Sequence, residues 1–324
     1  MSEAVKGLLA LVLANVIWGL SSIFYKHFAT VPPLELLSHR TIWSFAFFAL
    51  VLLIQGRLRE VPRAFSSLRK AAVIVLAMSM ISVNWFLFIW AIQLERALEA
   101  SLGYYIFPLV SVVMGVIVFG EAVGRAKVAA FLLAALAVAI LTLGLGAAPI
   151  ISISLAVTFG TYGVIKKFST LGPVVSVTAE VAVVVPIALI WLWGVHVQGW
   201  TGITGRNLGL YGTDLTESLL LMASGPITAG PLILFSYASR RLTLATVGLT
   251  QYLNPTLQFL VAALIFAEPL TRWHALAFPL IWVALAIYSW GVLRQERARQ
   301  RAVSSAAQSG MTDMKSRTPR SAKP

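Results

Sequence analysis

Apolar residues come in blocks of about 20 along almost the whole chain, separated by short polar breaks. A helix needs about that many residues to cross a bilayer. The blocks predict ten spans, at residues 7–27, 39–54, 71–93, 100–119, 127–145, 150–165, 174–194, 217–239, 245–266 and 273–293. The expected fold class is an all-α polytopic membrane protein. A Gly-rich connection covers 195–216, with Trp200 and Tyr211 placed at the interface. The tail, 294–324, is rich in Ser, Arg and Lys, lacks apolar runs and is expected to be disordered. Lys6 ahead of the first span imitates a signal peptide, but no small-x-small cleavage site follows at the right distance.

The pattern repeats. Residues 99–125 and 246–272 superpose without a gap at an offset of 147. Leu102 falls on Leu249, Tyr105 on Tyr252, Pro108 on Pro255, Glu121 on Glu268 and Arg125 on Arg272. At an offset of 140, Ser22 falls on Tyr162, Lys26 on Lys166 and Arg40 on Glu180. The halves are thus 7–146 and 149–293, each of five spans. An odd number per half inserts the second upside down, giving an inverted-topology repeat. Pro108 and Pro255 are expected to kink equivalent helices. Paired interruptions of this kind point to a transporter's central site, whereas a single kink would be ordinary in a membrane helix.

Polar positions inside the apolar blocks supply the candidate chemistry. Asn15, Trp18, Ser22 and Lys26 form one helical stripe, and Ser154, Thr158, Tyr162 and Lys166 another. Such stripes face the bundle interior, lining a cavity or hydrogen-bonding between helices. Lys26 can also snorkel to the surface. Glu180 lies well inside its span, where a charge costs about 2.5–3.5 kcal/mol. It reads as a proton-coupling or cation-binding group, against a structural pair with a neighbouring helix. Arg40 suits a substrate carboxylate or phosphate, against an interfacial anchor. Asn84 and Trp85 offer a polar contact and an aromatic wall, against core packing. Tyr104, Tyr105, Gln251, Tyr252 and Asn254 precede the prolines and complete the expected substrate lining. Glu121 and Glu268 each stand four residues before an arginine and read as structural i,i+4 pairs. Spans 5 and 10 lack polar stripes. Ala126, Ala130 and Ala134 favour close packing of these two spans on each other or in a homodimer.

Composition strengthens the membrane reading. The chain is 59% hydrophobic and 11% charged, with a mean hydropathy of +0.86. Soluble domains carry about 25% charged residues. The net charge of +13 would suggest nucleic acid in a soluble protein, but its placement argues otherwise. Of the 25 Lys and Arg, twenty fall on one side if the spans alternate, eight of them in the tail. That bias places both termini in the cytoplasm. Without cysteine there is no disulfide framework or thiolate metal site. No phosphate-binding loop, H-E-x-x-H or nucleophile elbow is present, and the four histidines are scattered. The chain is expected to be no enzyme and to need no metal, cofactor or nucleic acid.

The pieces VIWGLSSIFYK, LLSHRTIWSF, NWFLFIWAI, LEASLGYYIFPLV, FGE and FPLIWVALAIY together resemble the RarD-type permeases. These form part of the EamA branch of the drug/metabolite transporter superfamily. The resemblance covers about residues 7–293 and is strongest at LEASLGYYIFPLV. It implies ten helices in two inverted EamA repeats, a cavity lined by spans 1–4 and 6–9, and secondary transport across a bacterial inner membrane. Glu180 and Arg40 match the pattern; the long 195–216 connection departs from it. The expected function is export of a small metabolite such as an amino acid. The alternatives are a drug-efflux permease linked to chloramphenicol sensitivity and a non-transporting scaffold or sensor.

Overall fold

The computed structural model describes residues 2–120, 124–146, 148–242, 244–291 and 293–294. Among them every regular element is helical. In chain order these are α1 (Glu3–His27), α2 (Pro33–Ile54), the single turn α3 (Glu60–Arg63), α4 (Leu68–Gln93), α5 (Ala97–Phe119) and α6 (Arg125–Leu145). Then come α7 (Ile150–Lys166), α8 (Pro173–Gln198), α9 (Leu215–Ser239), α10 (Leu244–Thr250), α11 (Leu253–Leu260) and α12 (Arg272–Gly291). Among the described residues, eight helices are long and apolar enough to cross a membrane. The other two apolar segments are shorter: α7, and α11 with the π-helical turn Val261–Ile265 that continues it. The tail from residue 295 and Glu121 lie outside the described residues.

Three helix starts are capped by side chains that satisfy orphan N–H groups. Ser2 accepts from Val5, Ser67 from Lys70 and Asp214 from Glu217. Several boundaries depart from the hydropathy reading, the start of α2 and the end of α8 among them. α2 starts at Pro33, ahead of residue 39, because its first two turns bury polar side chains: Glu35, Ser38, His39 and Arg40 are all inside. Polar residues that face a bundle lower the local hydropathy without ending the helix. α8 runs on to Gln198, which shortens the long connection at its start.

The two repeat copies are built differently. α5 passes through Pro108 as one helix. In the second copy the interruption falls at Gln251–Tyr252, ahead of Pro255. Pro255 itself lies in the first turn of α11, where the missing N–H would have had no partner in any case.

Lipid gives helices no hydrophobic reason to associate, so close packing has to. The main pairings are α5 on α7, α4 on α7, α2 on α8, α2 on α9, α1 on α9 and α1 on α11. The crossing of α2 and α9 is the tightest in backbone terms. A Cβ at Gly225 would sit 2.3 Å from the carbonyl carbon of Trp43. α6 and α12 lie outside this group and pack on each other: Ala130 and Ala134 meet Ala284 of α12 and Leu109 of α5. The opposite side of α6, with Leu132, Leu136 and Leu143, is exposed.

Polar contacts tie the helix ends. Lys26 reaches Glu95 at 2.9 Å, His27 reaches Glu217 at 3.1 Å, and Arg241 reaches Glu3 at 2.9 Å. Glu268 does not form the expected i,i+4 pair. No single helix spans residues 268–272, because α12 begins only at Arg272. The guanidinium of Arg272 instead lies over Trp273, 4.7 Å from the ring centroid. The carboxylate of Glu268 accepts from the backbone N–H groups of Ala97 at 2.6 Å and Leu98 at 2.8 Å. α5 has no side-chain cap of its own, so the second half of the chain caps a helix of the first.

Candidate functional site

Arg40 and Glu180 are each the eighth residue of their helices, α2 and α8. Both are buried, at 6% and 1% exposure. They solve the problem of a buried charge in opposite ways.

The guanidinium of Arg40 lies over the Trp85 ring of α4, 4.3 Å from its centroid, and 5.4 Å from that of Tyr25 on α1. Its Nε and Nη1 are buried with no hydrogen-bond partner. A desolvated cation–π contact returns about 2 kcal/mol. That is small against the cost of burying a charge whose donors are unused. The arginine therefore holds donors ready for an anionic acceptor.

Glu180 is saturated. Tyr162 donates to Oε2 at 3.0 Å and Ser176 to Oε1 at 2.8 Å, and the ammonium of Lys166 contacts Oε1 and Ser176. The carboxylate among these apolar flanks is thus one half of an ion pair with the adjacent helix α7. The lysine compensates the charge that the apolar flanks cannot.

A wall of aromatic and amide groups connects the two charges. The Asn84 amide is fully used: Nδ2 donates to the Leu155 carbonyl at 3.0 Å and to Thr158 at 3.1 Å. Its Oδ1 accepts from Tyr104 at 3.0 Å. Tyr104 meets Phe159 edge-on at 6.0 Å, and Phe159 stacks on Tyr162 at 6.1 Å. Tyr162 then reaches Glu180. Helices α1, α2, α4, α5, α7 and α8 all contribute.

Of the residues singled out from the sequence, Arg40, Asn84, Trp85, Tyr104, Tyr162 and Glu180 come together here. Others do not join them. Tyr105 and Tyr252 pack with Phe278 and Trp273 on the α12 side, and the Tyr105 hydroxyl donates to Thr256 at 2.9 Å. The Asn254 amide oxygen accepts from Gln258 at 3.0 Å. Gln251 is half-buried at the helix break. Trp18 leans on Phe235 of α9 at 6.3 Å, and Ser22 donates back to the Gly19 carbonyl at 3.4 Å. Sequence reasoning missed Tyr25, Ser176 and the partnership of Lys166 with Glu180. The last left a signal: opposite charges on adjacent helices joined by the short connection 167–172.

The EamA-like transporter family matches residues 5–143. The chain is 40% identical over 292 residues to Protein RarD of Streptomyces exfoliatus, covering 90% of each. It is 34% identical over 292 residues to Protein RarD of Escherichia coli K12, covering 90% of this chain and 96% of the relative. An uncharacterized transporter of Bacillus subtilis, YojE, is 36% identical over 301 residues, with 92% and 98% covered. A crystal structure superposes with a TM-score of 0.58 at 19% identity, over 87% of this chain and 96% of that one, a likeness of fold.

Proposed function

Because the chain belongs to the EamA-like transporter family, we propose that it is a secondary transporter exporting a small carboxylate-bearing metabolite, such as an amino acid, by alternating access. The carrying observation is Arg40, buried over Trp85 with Nε and Nη1 unpartnered. A carboxylate seated against this guanidinium would accept a charge-assisted hydrogen bond from one of these donors. The amide of Asn84 and the rings of Tyr104, Phe159 and Tyr162 supply a wall for the rest of the molecule. Glu180 with Lys166 is the coupling candidate: a proton or the substrate's ammonium would compete with Lys166 for the carboxylate.

The architecture proposed for this cycle is ten spans in two inverted five-helix repeats, 7–146 and 149–293, with both termini cytoplasmic in a bacterial inner membrane. The packing supports it. Exchanging equivalent helices turns the pairing α5 on α7 into α1 on α11, and α4 on α7 into α1 on α9; all four pairings occur. The charge bias of twenty Lys and Arg against five supports the orientation.

The test is counterflow of labelled amino acids in proteoliposomes. Wild type should exchange a carboxylate substrate, and Arg40→Gln should weaken its apparent affinity tenfold or more. A charged hydrogen bond is worth about 1.5–3 kcal/mol, and about 1.4 kcal/mol is tenfold. A folded Arg40→Gln protein with unchanged affinity would refute the assignment.

A further inference from the structure

A second polar cluster lies apart from the site above, at the end of the bundle where α2 begins and α8 ends. Glu35 and His39 stand four residues apart in the first two turns of α2, on one face of the helix. His196 comes from the last turn of α8. One ligand atom from each lies within 4.8 Å of the other two.

Two features separate this cluster from a chance gathering. Glu35 is fully buried and His39 is 2% exposed, yet Glu35 Oε2 and His39 Nε2 have no hydrogen-bond partner. Buried polar atoms are almost always satisfied, so two neighbouring orphans point to a partner between them. The connection after α8 is also shaped around them. Leu210 N–H donates to Glu35 Oε1 at 3.2 Å, which orients the carboxylate and leaves Oε2 free. The Tyr211 ring lies tilted against His39, with ring centroids 4.9 Å apart. Gly209, at φ +50°, passes so close that a Cβ there would lie 3.2 Å from His196 Nδ1.

We propose that Glu35, His39 and His196 bind a divalent transition cation of the zinc class. Two imidazoles and one carboxylate form a donor set that zinc takes readily, with a fourth position left for water. Nitrogen donors disfavour calcium and magnesium. A tetrahedral site with bonds near 2.05 Å sets its ligand atoms about 3.3 Å apart. Closing from 4.8 Å needs side-chain movements of about 1 Å or less. The exposed His196 gives the ion its way in. The bound ion ties α2, α8 and the 199–214 connection together. It lies one residue from Arg40, whose guanidinium turns the other way, onto Trp85.

The experiment uses the full chain in detergent, purified through a tag without histidine, with zinc ion alone as the probe. Calorimetry should show one ion per chain. Saturating zinc should raise the Tm by roughly 5 °C or more, since a ligand that binds only the folded state stabilises by mass action. His196→Ala changes an exposed side chain and should leave the fold intact while weakening zinc binding at least tenfold. His39→Ala should do the same. Cobalt substituted for zinc should give the visible absorption of a four-coordinate N/O site, lost in both variants. His27→Ala, which removes the His27–Glu217 pair, should leave zinc binding unchanged. Absence of zinc binding to wild type would overturn the proposal. So would binding that survives both His39→Ala and His196→Ala, or that is lost instead in His27→Ala.

Discussion

Glu268 is where the two halves of the chain are joined by a single side chain, and removing it has a calculable cost. Its carboxylate is 7% exposed and takes the N–H groups of Ala97 and Leu98 at 2.6 and 2.8 Å. Those two groups belong to the first turn of α5, which has no other side-chain cap. Glu268→Ala orphans both. An unsatisfied buried donor costs about 1–3 kcal/mol, so the loss should be about 3 kcal/mol. Glu268→Gln keeps one acceptor and should lose about half as much. The charge adds a pH signature. Burial is the largest influence on the carboxyl and raises its pKa above 4.5, against the pull of the Leu98 and Ala97 N–H groups and of Lys26. The folded state then holds this proton more tightly than the unfolded chain does. The group's contribution is fully present below the unfolded value and falls as pH rises through the raised folded value. Unfolding by SDS titrated into a mild detergent, followed by circular dichroism, measures both effects. Wild type should lose stability relative to Glu268→Gln as pH climbs from about 4.5. A Glu268→Ala protein within about 0.5 kcal/mol of wild type would refute the cap. A pH slope of opposite sign would refute the linkage.

Further outcomes follow from the same structure. Glu180→Gln should abolish accumulation driven by a pH gradient in proteoliposomes yet keep substrate exchange, since exchange needs no net proton movement; normal driven transport by the folded variant would remove Glu180 from coupling. Gly225→Ala would place a Cβ 2.3 Å from a backbone atom of α2, which cannot give way, and should sharply lower the yield of folded, monodisperse protein in size-exclusion chromatography. A reporter active only in the cytoplasm should work when fused between α2 and α4 or at 167–172, and fail at 199–214; the reverse pattern would overturn the proposed orientation.

Much of the fold could be read from apolar blocks, because a charge inside such a block stands out. That is why Arg40 and Glu180 were visible. Their pairing with Trp85 and Lys166 was not read, since these residues become neighbours only through helix packing. Glu35 escaped for a related reason. The hydropathy reading began the second span at residue 39, and a helix turn with its polar face inward looks like loop. Glu268 misled because its spacing to Arg272 fits a helix pair, but local spacing means nothing once the helix has ended. The break at Gln251–Tyr252 contains neither Gly nor Pro, but Pro255 announces it from four residues on, because its missing N–H leaves the Gln251 carbonyl without its helical partner.

That break makes the two halves unequal as mechanical parts. α5 is one unbroken helix through Pro108, whereas its counterpart is interrupted at Gln251–Tyr252 and widened at Val261–Ile265. Under load a jointed member yields before a continuous one. In the proposed alternating-access cycle, a tilt of one half against the other would concentrate its strain in α10 and α11, and the work of opening would differ between the two faces of the membrane. A resting preference for one face would need no ligand and no ion gradient, only this difference in compliance.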